Sequence, residues 1–195
     1  MTRHTPSVPN PRQLAAEATA RLRALADPTR AAQQRSYFKE KVSVYGIPVP
    51  RVRSLVRKLL DEIGTGWGAG EALRFCDVMS ARPELEAKLV GVLVLERYHK
   101  QLDKKVLGIV RRWIMADRFA SWAAIDALAP AVVTPLVRRF PDLIPRIEGW
   151  TSSRSLWLRR AAAVTFVPLV RRGEQLDAAY RVVRSLFADP EDLIH

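Results

Sequence analysis

Cysteine, histidine and long apolar runs are scarce in this chain of 195 residues, and each scarcity excludes a class of protein. The single cysteine, Cys76, excludes a disulfide framework and a cysteine-rich zinc site. The three histidines, His4, His99 and His195, lie far apart, and no metal-ligand spacing is visible. No apolar run reaches the roughly 18 residues that span a bilayer, and the N-terminus lacks the apolar region of a signal peptide. We therefore expect a cytoplasmic protein with no metal, no cofactor and no membrane contact.

Acidic residues are also few relative to basic ones. The chain has 32 Lys and Arg against 20 Asp and Glu, which gives a net charge of +12, while 48% of its residues are hydrophobic. That balance is typical of a globular protein with an anionic partner, and nucleic acid is a better candidate than a membrane surface.

Helix-start signals divide the chain into short helices. Asn10 before Pro11 combines a capping side chain with a first-turn proline, and Asp27 before Pro28 repeats the combination. The helix that starts at Pro28 is predicted to run to Tyr45, just before a glycine. Apolar residues at helical spacing predict further helices over 50–60, 71–79, 83–94, 103–114, 121–140, 141–149, 154–171 and 174–188.

Three of these segments resemble one another at a spacing of about 37 residues, which is typical of helical repeats. They are ELEAKLVGVLVL from Glu84, WAAIDALAPAVV from Trp122 and WLRRAAAVTFVPLV from Trp157. No convincing period-two alternation, the mark of a strand, interrupts the helical pattern. The sequence therefore predicts an all-α, HEAT-like solenoid over residues 10–195 as a single domain, preceded by a disordered lead over residues 1–9.

The basic residues concentrate in two segments. Residues 97–118 hold seven bases and two acids, and residues 138–184 hold ten arginines and four acids. In a curved solenoid, each helix pair can offer residues to one concave face. We therefore predict a concave basic face that follows a phosphate backbone, with duplex affinity that falls steeply as salt rises.

Two pairs of side chains stand out as candidates for chemistry. Trp122 and Asp126 are four residues apart, so a helix would place them on one face, one turn apart. Taken alone, the two residues also have a purely structural interpretation: Trp122 would pack between helices, and the Asp126 carboxylate would complement the helix dipole. Arg159 and Arg160 point about 100° apart on a helix, so one can face a groove while the other faces solvent or forms a surface ion pair.

Three motifs together resemble a known family. GIPVPRVR at 46–53, SWAAID at 121–126 and SLWLRRAAAV at 155–164 are similar, in order and spacing, to the AlkD-type DNA alkylation-repair glycosylases, which are HEAT-like repeat enzymes. The likeness extends from about Gln33 to the end of the chain. It implies removal of N3- and N7-alkylated purines from duplex DNA by a monomer that becomes associated with the nucleoid when bound.

The resemblance also implies roles for individual residues. Trp122 matches the family's aromatic residue at the lesion deoxyribose, and Asp126 matches its catalytic carboxylate. Arg160 matches the arginine at the DNA backbone near the lesion. We expect Arg159, Arg154 and Arg118 to contribute to DNA binding as well.

Two departures from the family pattern leave alternatives open. Ala123 stands where many relatives carry an acid after the aromatic residue. Asp189–Asp192 form a helix-start signal shortly before His195, so we expect the domain of the family to continue beyond this residue. A HEAT-like protein that binds nucleic acid without excising a base is therefore one alternative, and a helical scaffold for protein partners is another.

Overall fold

A computed structural model describes residues 8–195, and the regular structure in that range is helical. Most of the lead predicted over residues 1–9 lies outside the described residues. An isolated bridge between Ser43 and Glu84 is the only strand-type pairing found from Val8 to His195. The all-α prediction is confirmed. The α-helices are α1 (Pro11–Ala24), α2 (Pro28–Arg35), α3 (Val49–Ile63), α4 (Ala69–Ser80), α5 (Leu85–Glu96), α6 (Val106–Met115), α7 (Trp122–Leu128), α8 (Thr134–Arg139), α9 (Ile144–Glu148), α10 (Leu156–Val170) and α11 (Leu176–Leu186).

The three segments that look alike in sequence are neighbours in a stack of helices. They form α5, the continuous stretch α7–α8, and α10. Helix α5 packs on α7, and α7 packs on α10, while α4 covers α5 and α11 covers α10. This succession of stacked helices is the helical-repeat arrangement that the spacing predicts. None of the helices within residues 8–195 has the length and apolar character needed to cross a bilayer.

Capping side chains start the first two helices where the sequence predicts. The Asn10 side chain accepts a hydrogen bond from the Arg12 backbone N–H at 2.9 Å, and the Asp27 side chain accepts one from the Arg30 N–H at 3.0 Å. Each bond satisfies an N–H that has no partner inside its helix.

Close helix packing depends on a small residue at the α4–α5 contact. A Cβ added to Gly91 would lie 2.9 Å from the Met79 Cβ and 3.3 Å from the Cys76 Cα. The Cys76 thiol is fully buried there, and burial raises its pKa because the thiolate would lose its hydration. Cys76 is therefore an inert core residue.

The prediction that the second helix runs to Tyr45 is wrong. Helix α2 ends at Arg35, and residues 36–48 are irregular. A buried carboxylate on α5 holds the end of this irregular segment: Glu86 accepts hydrogen bonds from the backbone N–H groups of Tyr45, Gly46 and Ile47 at 2.9, 2.9 and 3.0 Å. These N–H groups bind a distant side chain instead of a helical carbonyl.

Gly46 is needed where this irregular segment passes α2. Its φ is +79°, and a Cβ there would lie 2.4 Å from the Asp27 carbonyl oxygen. Both the backbone conformation and the lack of space therefore require glycine. The irregular segment forms one wall of the candidate site.

The helix predicted over 121–140 is present but widened in its middle. Residues Ala129–Val133 form a π-helical turn between α7 and α8. Pro130 has no N–H to donate to the carbonyl four residues earlier, at Asp126, so a regular α-helical turn cannot continue there. Single π turns are frequent at functional sites.

Candidate functional site

The structure places Trp122 and Asp126 on α7, as the spacing predicts. Ser121 precedes the helix, and its side chain accepts a hydrogen bond from the Ala124 backbone N–H at 3.2 Å. This cap fixes Trp122 as the first helical residue. Trp122 and Asp126 are then one turn apart on one face, and both side chains are partly exposed.

The irregular segment after α2 holds Trp122 in place. The Phe38 ring stacks on the Trp122 ring with 5.4 Å between centroids and 26° between planes. The Glu40 Oε1 accepts a hydrogen bond from the Trp122 backbone N–H at 3.0 Å. The other Glu40 oxygen, Oε2, is buried and has no hydrogen-bond partner among the described residues. Trp122 is thus fixed by its ring and by its backbone.

Asp126 forms a two-bond ion pair with Arg160, which lies 34 positions later on α10. The Arg160 Nε donates to Asp126 Oδ1 and Nη2 donates to Oδ2, both at 2.8 Å. Paired bonds of this kind fix direction as well as distance. The Arg160 Nη1 also donates to the Leu193 carbonyl. The Arg160 side chain is 18% exposed and that of Asp126 35%, so the pair lies at the boundary between protein and solvent.

Arg159 has a different environment from its neighbour. Its guanidinium donates to both carboxylate oxygens of Asp189 at 2.6 and 3.1 Å, and to the Ser153 carbonyl at 3.0 Å. The Arg159 and Asp189 side chains are only 14% and 6% exposed. The hydrogen bonds from Arg159 are the main cause that lowers the pKa of Asp189. Arg159 therefore joins the chain after α11 to α10.

The structure does not bring Arg118 to this site. Its Nη1 donates to Asp77 Oδ1 at 2.6 Å, and the Trp113 indole N–H donates to the same oxygen at 2.7 Å. These residues line a separate cavity of about 470 Å³, which we call the Trp113 pocket. Arg154 is exposed and offers its carbonyl to Arg159. The Trp113 pocket is lined by Arg12, Leu73, Arg74, Asp77, Val78, Ile109, Arg112, Trp113, Ala116 and Arg118.

Many bases of the two basic segments pair with acids of the chain itself. These internal pairs offset basic charge that the sequence pattern assigns to DNA binding. The pairs are Lys104–Asp142, Arg118–Asp77, Arg138–Glu174, Arg159–Asp189, Arg160–Asp126 and Arg181–Glu148.

A cleft of about 570 Å³ opens beside Trp122 and Asp126, and we call it the Trp122 cleft. The irregular segment, the start of α3, and helices α5 and α7 form its walls. Its volume lies within the range of sites that bind small organic molecules. The lining residues are Gln34, Tyr37, Phe38, Ile47, Val49, Val52, Arg53, Leu85, Glu86, Leu89, Leu93, Glu96, Trp122, Ala123, Asp126, Ala127 and Ala131. Across residues 8–195, no three His, Cys, Asp or Glu side chains cluster closely enough to hold a metal ion.

Sequence reasoning missed Phe38, Glu40 and Glu86. The first two lie in the stretch assigned to a helix, where Val42 and Val44 alternate with polar residues and so indicated extended backbone. Nothing in the local sequence distinguishes Glu86 from an ordinary helix-surface glutamate, because its partners are about 40 residues earlier.

Comparisons with known proteins bear on the family of the chain and on its fold. Residues 18–195 match a family model described as "DNA alkylation repair enzyme". Among solved structures, the chain is similar to a "Predicted DNA alkylation repair enzyme from Enterococcus faecalis", with a TM-score of 0.73 and 18% sequence identity. The similarity covers 87% of this chain and 78% of that one, and at this identity it shows a shared fold. No curated protein matches.

Proposed function

Because the chain belongs to the DNA alkylation repair enzyme family, we propose that it is a DNA glycosylase that hydrolyses the N-glycosidic bond of cationic N3- and N7-alkylated purines in duplex DNA. The observation that carries this proposal is the meeting of Trp122, Asp126 and Arg160 at the edge of the Trp122 cleft. An aromatic ring and a carboxylate side by side suit a reaction that develops positive charge on a sugar.

The reaction does not require a protein side chain to act as a strong general acid. An N3- or N7-alkylated purine already carries a positive charge and leaves without being protonated first. The difficult part is the positive charge that appears on the deoxyribose as the bond lengthens. Groups fixed in advance toward that charge lower the barrier.

Asp126 is the group that we assign to this task. The bond between C1′ and the base nitrogen breaks with its electron pair going to the base, which leaves uncharged. Water adds to C1′ and releases one proton, so the sugar gains a hydroxyl. The Asp126 carboxylate stabilises the sugar cation and orients the water or accepts its proton. The Trp122 ring adds cation–π attraction of about 1–2 kcal/mol when water is excluded.

Arg160 links DNA binding to this step. In the free protein, its guanidinium offsets the Asp126 charge through two hydrogen bonds. A DNA phosphate is also a two-oxygen acceptor that suits a guanidinium. When a phosphate competes for Arg160, the negative charge of Asp126 is no longer offset and can stabilise the sugar cation. Arg160 is a positioning residue in this scheme.

The same ion pair favours a second candidate function. Both Asp126 oxygens are occupied by Arg160, which also binds the Leu193 carbonyl. A protein in which this pair never opens would bind DNA without excising a base. An excision assay on alkylated duplex DNA separates the two candidates.

The decisive variant is Asp126→Asn, which keeps the shape and removes the charge. We expect release of 7-methylguanine from methylated duplex DNA to fall by roughly 10²–10³-fold, the scale of one lost preorganised contact. Duplex binding should stay equal or improve slightly, because a negative charge near the phosphates has been removed.

Asp142→Asn is the matched control. Asp142 also pairs with a base, Lys104, but its side chain is 62% exposed and lies outside the cleft lining. It should excise at the parent's rate. Equal excision by Asp126→Asn and the parent would refute the catalytic assignment. A parent protein that binds the duplex but releases no base would support the second candidate.

A further inference from the structure

The Trp113 pocket is a basic cavity that the proposed reaction does not use. Its lining has no residue in common with that of the Trp122 cleft, and it contains four guanidinium groups and one carboxylate. Helices α1, α4 and α6 supply most of the lining side chains. Its volume of about 470 Å³ lies within the range of sites that bind small organic molecules. The charge of the lining favours an anionic occupant.

Two of the four guanidinium groups already have acidic partners in the protein. Arg118 and the Trp113 indole N–H both donate to Asp77 Oδ1, at 2.6 and 2.7 Å, so the one carboxylate of the lining is neutralised. Arg74 is paired with Glu71, three positions earlier on its helix. The Arg74 side chain is 63% exposed, and such surface pairs contribute little. The carboxylate therefore does not offset the charge of the remaining guanidinium groups.

Arg12 and Arg112 are the guanidinium groups that remain for a ligand. Both are exposed, and within residues 8–195 neither forms a salt bridge. Arg12 lies in the first turn of α1 and Arg112 in the last turn of α6. The Arg112 side chain extends back along its helix, since a Cβ added to Gly108 would lie 3.8 Å from Arg112 Nη1. Two guanidinium groups from different helices thus line one cavity without an acid to pair with.

This pair of guanidinium groups suits a phosphate better than a carboxylate. One planar guanidinium already satisfies the two oxygens of a carboxylate through paired hydrogen bonds. A terminal phosphate monoester has three acceptor oxygens and carries nearly two negative charges at neutral pH. It can therefore bind Arg12 and Arg112 together and balance the charge of both.

The rest of the lining indicates what carries the phosphate. Leu73, Val78 and Ile109 supply apolar surface beside the guanidinium groups. A hydrated inorganic phosphate would gain nothing from this surface. A flat aromatic ring can pack on aliphatic side chains and also stack on a guanidinium plane, such as that of Arg74. A nucleotide combines such a ring with a phosphate.

From this arrangement, we propose that the Trp113 pocket binds a nucleoside monophosphate. The phosphate lies between Arg12 and Arg112, and the base packs on the apolar surface around Leu73 and Ile109. The inference does not rest on the proposed glycosylase function, because the pocket and the Trp122 cleft have no lining residue in common. It adds a second ligand site to the chain.

The first experiment compares GMP, guanosine and inorganic phosphate as ligands by calorimetry. Guanosine lacks the phosphate and inorganic phosphate lacks the base, so each compound tests one half of the site. We expect GMP to bind about tenfold more tightly than either, the scale of one charge-assisted hydrogen bond. Equal affinity for GMP and either fragment would overturn the inference, and so would the absence of saturable GMP binding.

A matched pair of arginine variants tests the position of the phosphate. Arg111 and Arg112 are adjacent on α6 and both are exposed, but only Arg112 lines the pocket, since neighbouring side chains on a helix point about 100° apart. Arg112→Gln should weaken GMP binding about tenfold, and Arg111→Gln should leave it unchanged. Each variant removes one positive charge. Equal weakening in both would show that GMP responds only to the net charge of the protein and would refute the site.

Filling the pocket tests the position of the base. Leu73 on α4 lines the Trp113 pocket, whereas Leu89 on α5 lines the Trp122 cleft, and both are half-buried. Leu73→Trp should weaken GMP binding about tenfold, and Leu89→Trp should not affect it. A folded Leu73→Trp that binds GMP with the parent's affinity would contradict the assignment. If the melting curve of Leu73→Trp is lost, the two arginine variants decide the question.

A last comparison separates this inference from the proposed function. Asp126→Asn should bind GMP as tightly as the parent, because Asp126 belongs to the other lining. Loss of GMP binding in this variant would place the nucleotide in the Trp122 cleft and overturn the inference. A parent that binds GMP but releases no alkylated base would refute the glycosylase proposal and keep the nucleotide site. A parent that excises the base but does not bind GMP would do the reverse.

Discussion

The Trp122 cleft and the Trp113 pocket are similar in size and opposite in charge. Each contains a tryptophan and an aspartate, and their volumes are about 570 and 470 Å³. The Trp122 cleft has three carboxylates and one guanidinium, whereas the Trp113 pocket has four guanidinium groups and one carboxylate. The basic side chains are therefore unevenly distributed between the linings of the two cavities.

The two tryptophans also differ in what holds them. Trp113 is 3% exposed, packs against Phe119 with 6.2 Å between ring centroids, and donates to Asp77. Trp122 is partly exposed and is held from outside its helix by Phe38 and Glu40. Trp113 is therefore a core residue, whereas the partly exposed Trp122 is accessible for the role that we propose for it.

The largest expected effect is the loss of stability in Trp113→Ala. Removing a buried tryptophan leaves a cavity and leaves Asp77 without one of its donors, which should cost about 3–5 kcal/mol of unfolding free energy. Urea denaturation measures it. Trp122→Ala is the comparison variant and should lose much less. Equal losses would show that both rings are core residues and would break the distinction.

Trp122→Ala should instead impair excision. Loss of the cation–π attraction of about 1–2 kcal/mol predicts a decrease of about tenfold in the single-turnover rate of 7-methylguanine release. Trp113→Ala, assayed well below its melting temperature, should keep the parent's rate. The distinction would fail if Trp122→Ala kept the parent's rate or if Trp113→Ala lost as much activity.

The smallest effect concerns Lys88, which lies on α5 outside the linings of both the Trp122 cleft and the Trp113 pocket. Burial is the main cause that lowers the pKa of Lys88 from 10.5 to about 8; Arg118 adds to the lowering and Glu84 opposes it. The Lys88 ammonium donates to the Ser80 and Arg82 carbonyls at the end of α4.

The sign of the pH dependence follows from that lowered pKa. Between about pH 8 and 10.5, the unfolded chain holds a proton that the folded chain has released, so stability rises with pH through this window. Lys88→Met lacks this group. Urea midpoints should therefore shift in favour of the wild type as pH rises from 8 to 10.5, relative to Lys88→Met. A constant difference between the two proteins would contradict the effect of burial on Lys88.

Part of the candidate site could be predicted because it depends on local geometry. Trp122 and Asp126 are one helical turn apart, and the Ser121 cap that fixes their helix is three residues from its partner. The stack of similar helices likewise follows from small residues and apolar spacing that recur along the chain. Such features depend on residues a few positions apart in the chain, so they can be predicted from the sequence pattern.

The partners of these residues could not be predicted because they come from distant parts of the chain. Arg160 is paired with Asp126 across 34 positions, while its neighbour Arg159 is joined to Asp189 across 30. A helical position gives the direction of a side chain but not the acid that it meets.

The sequence by itself determined the all-helical fold, the order of the helices and the face that carries Trp122 and Asp126, because capping and apolar periodicity act over a few residues. The tertiary structure decided where residues 45–47 lie, since only the fold brings Glu86 to their N–H groups. It also decided the charge of the cleft. The composition gives +12 for the whole chain, but the carboxylates of the cleft lining come from two helices that only packing brings together.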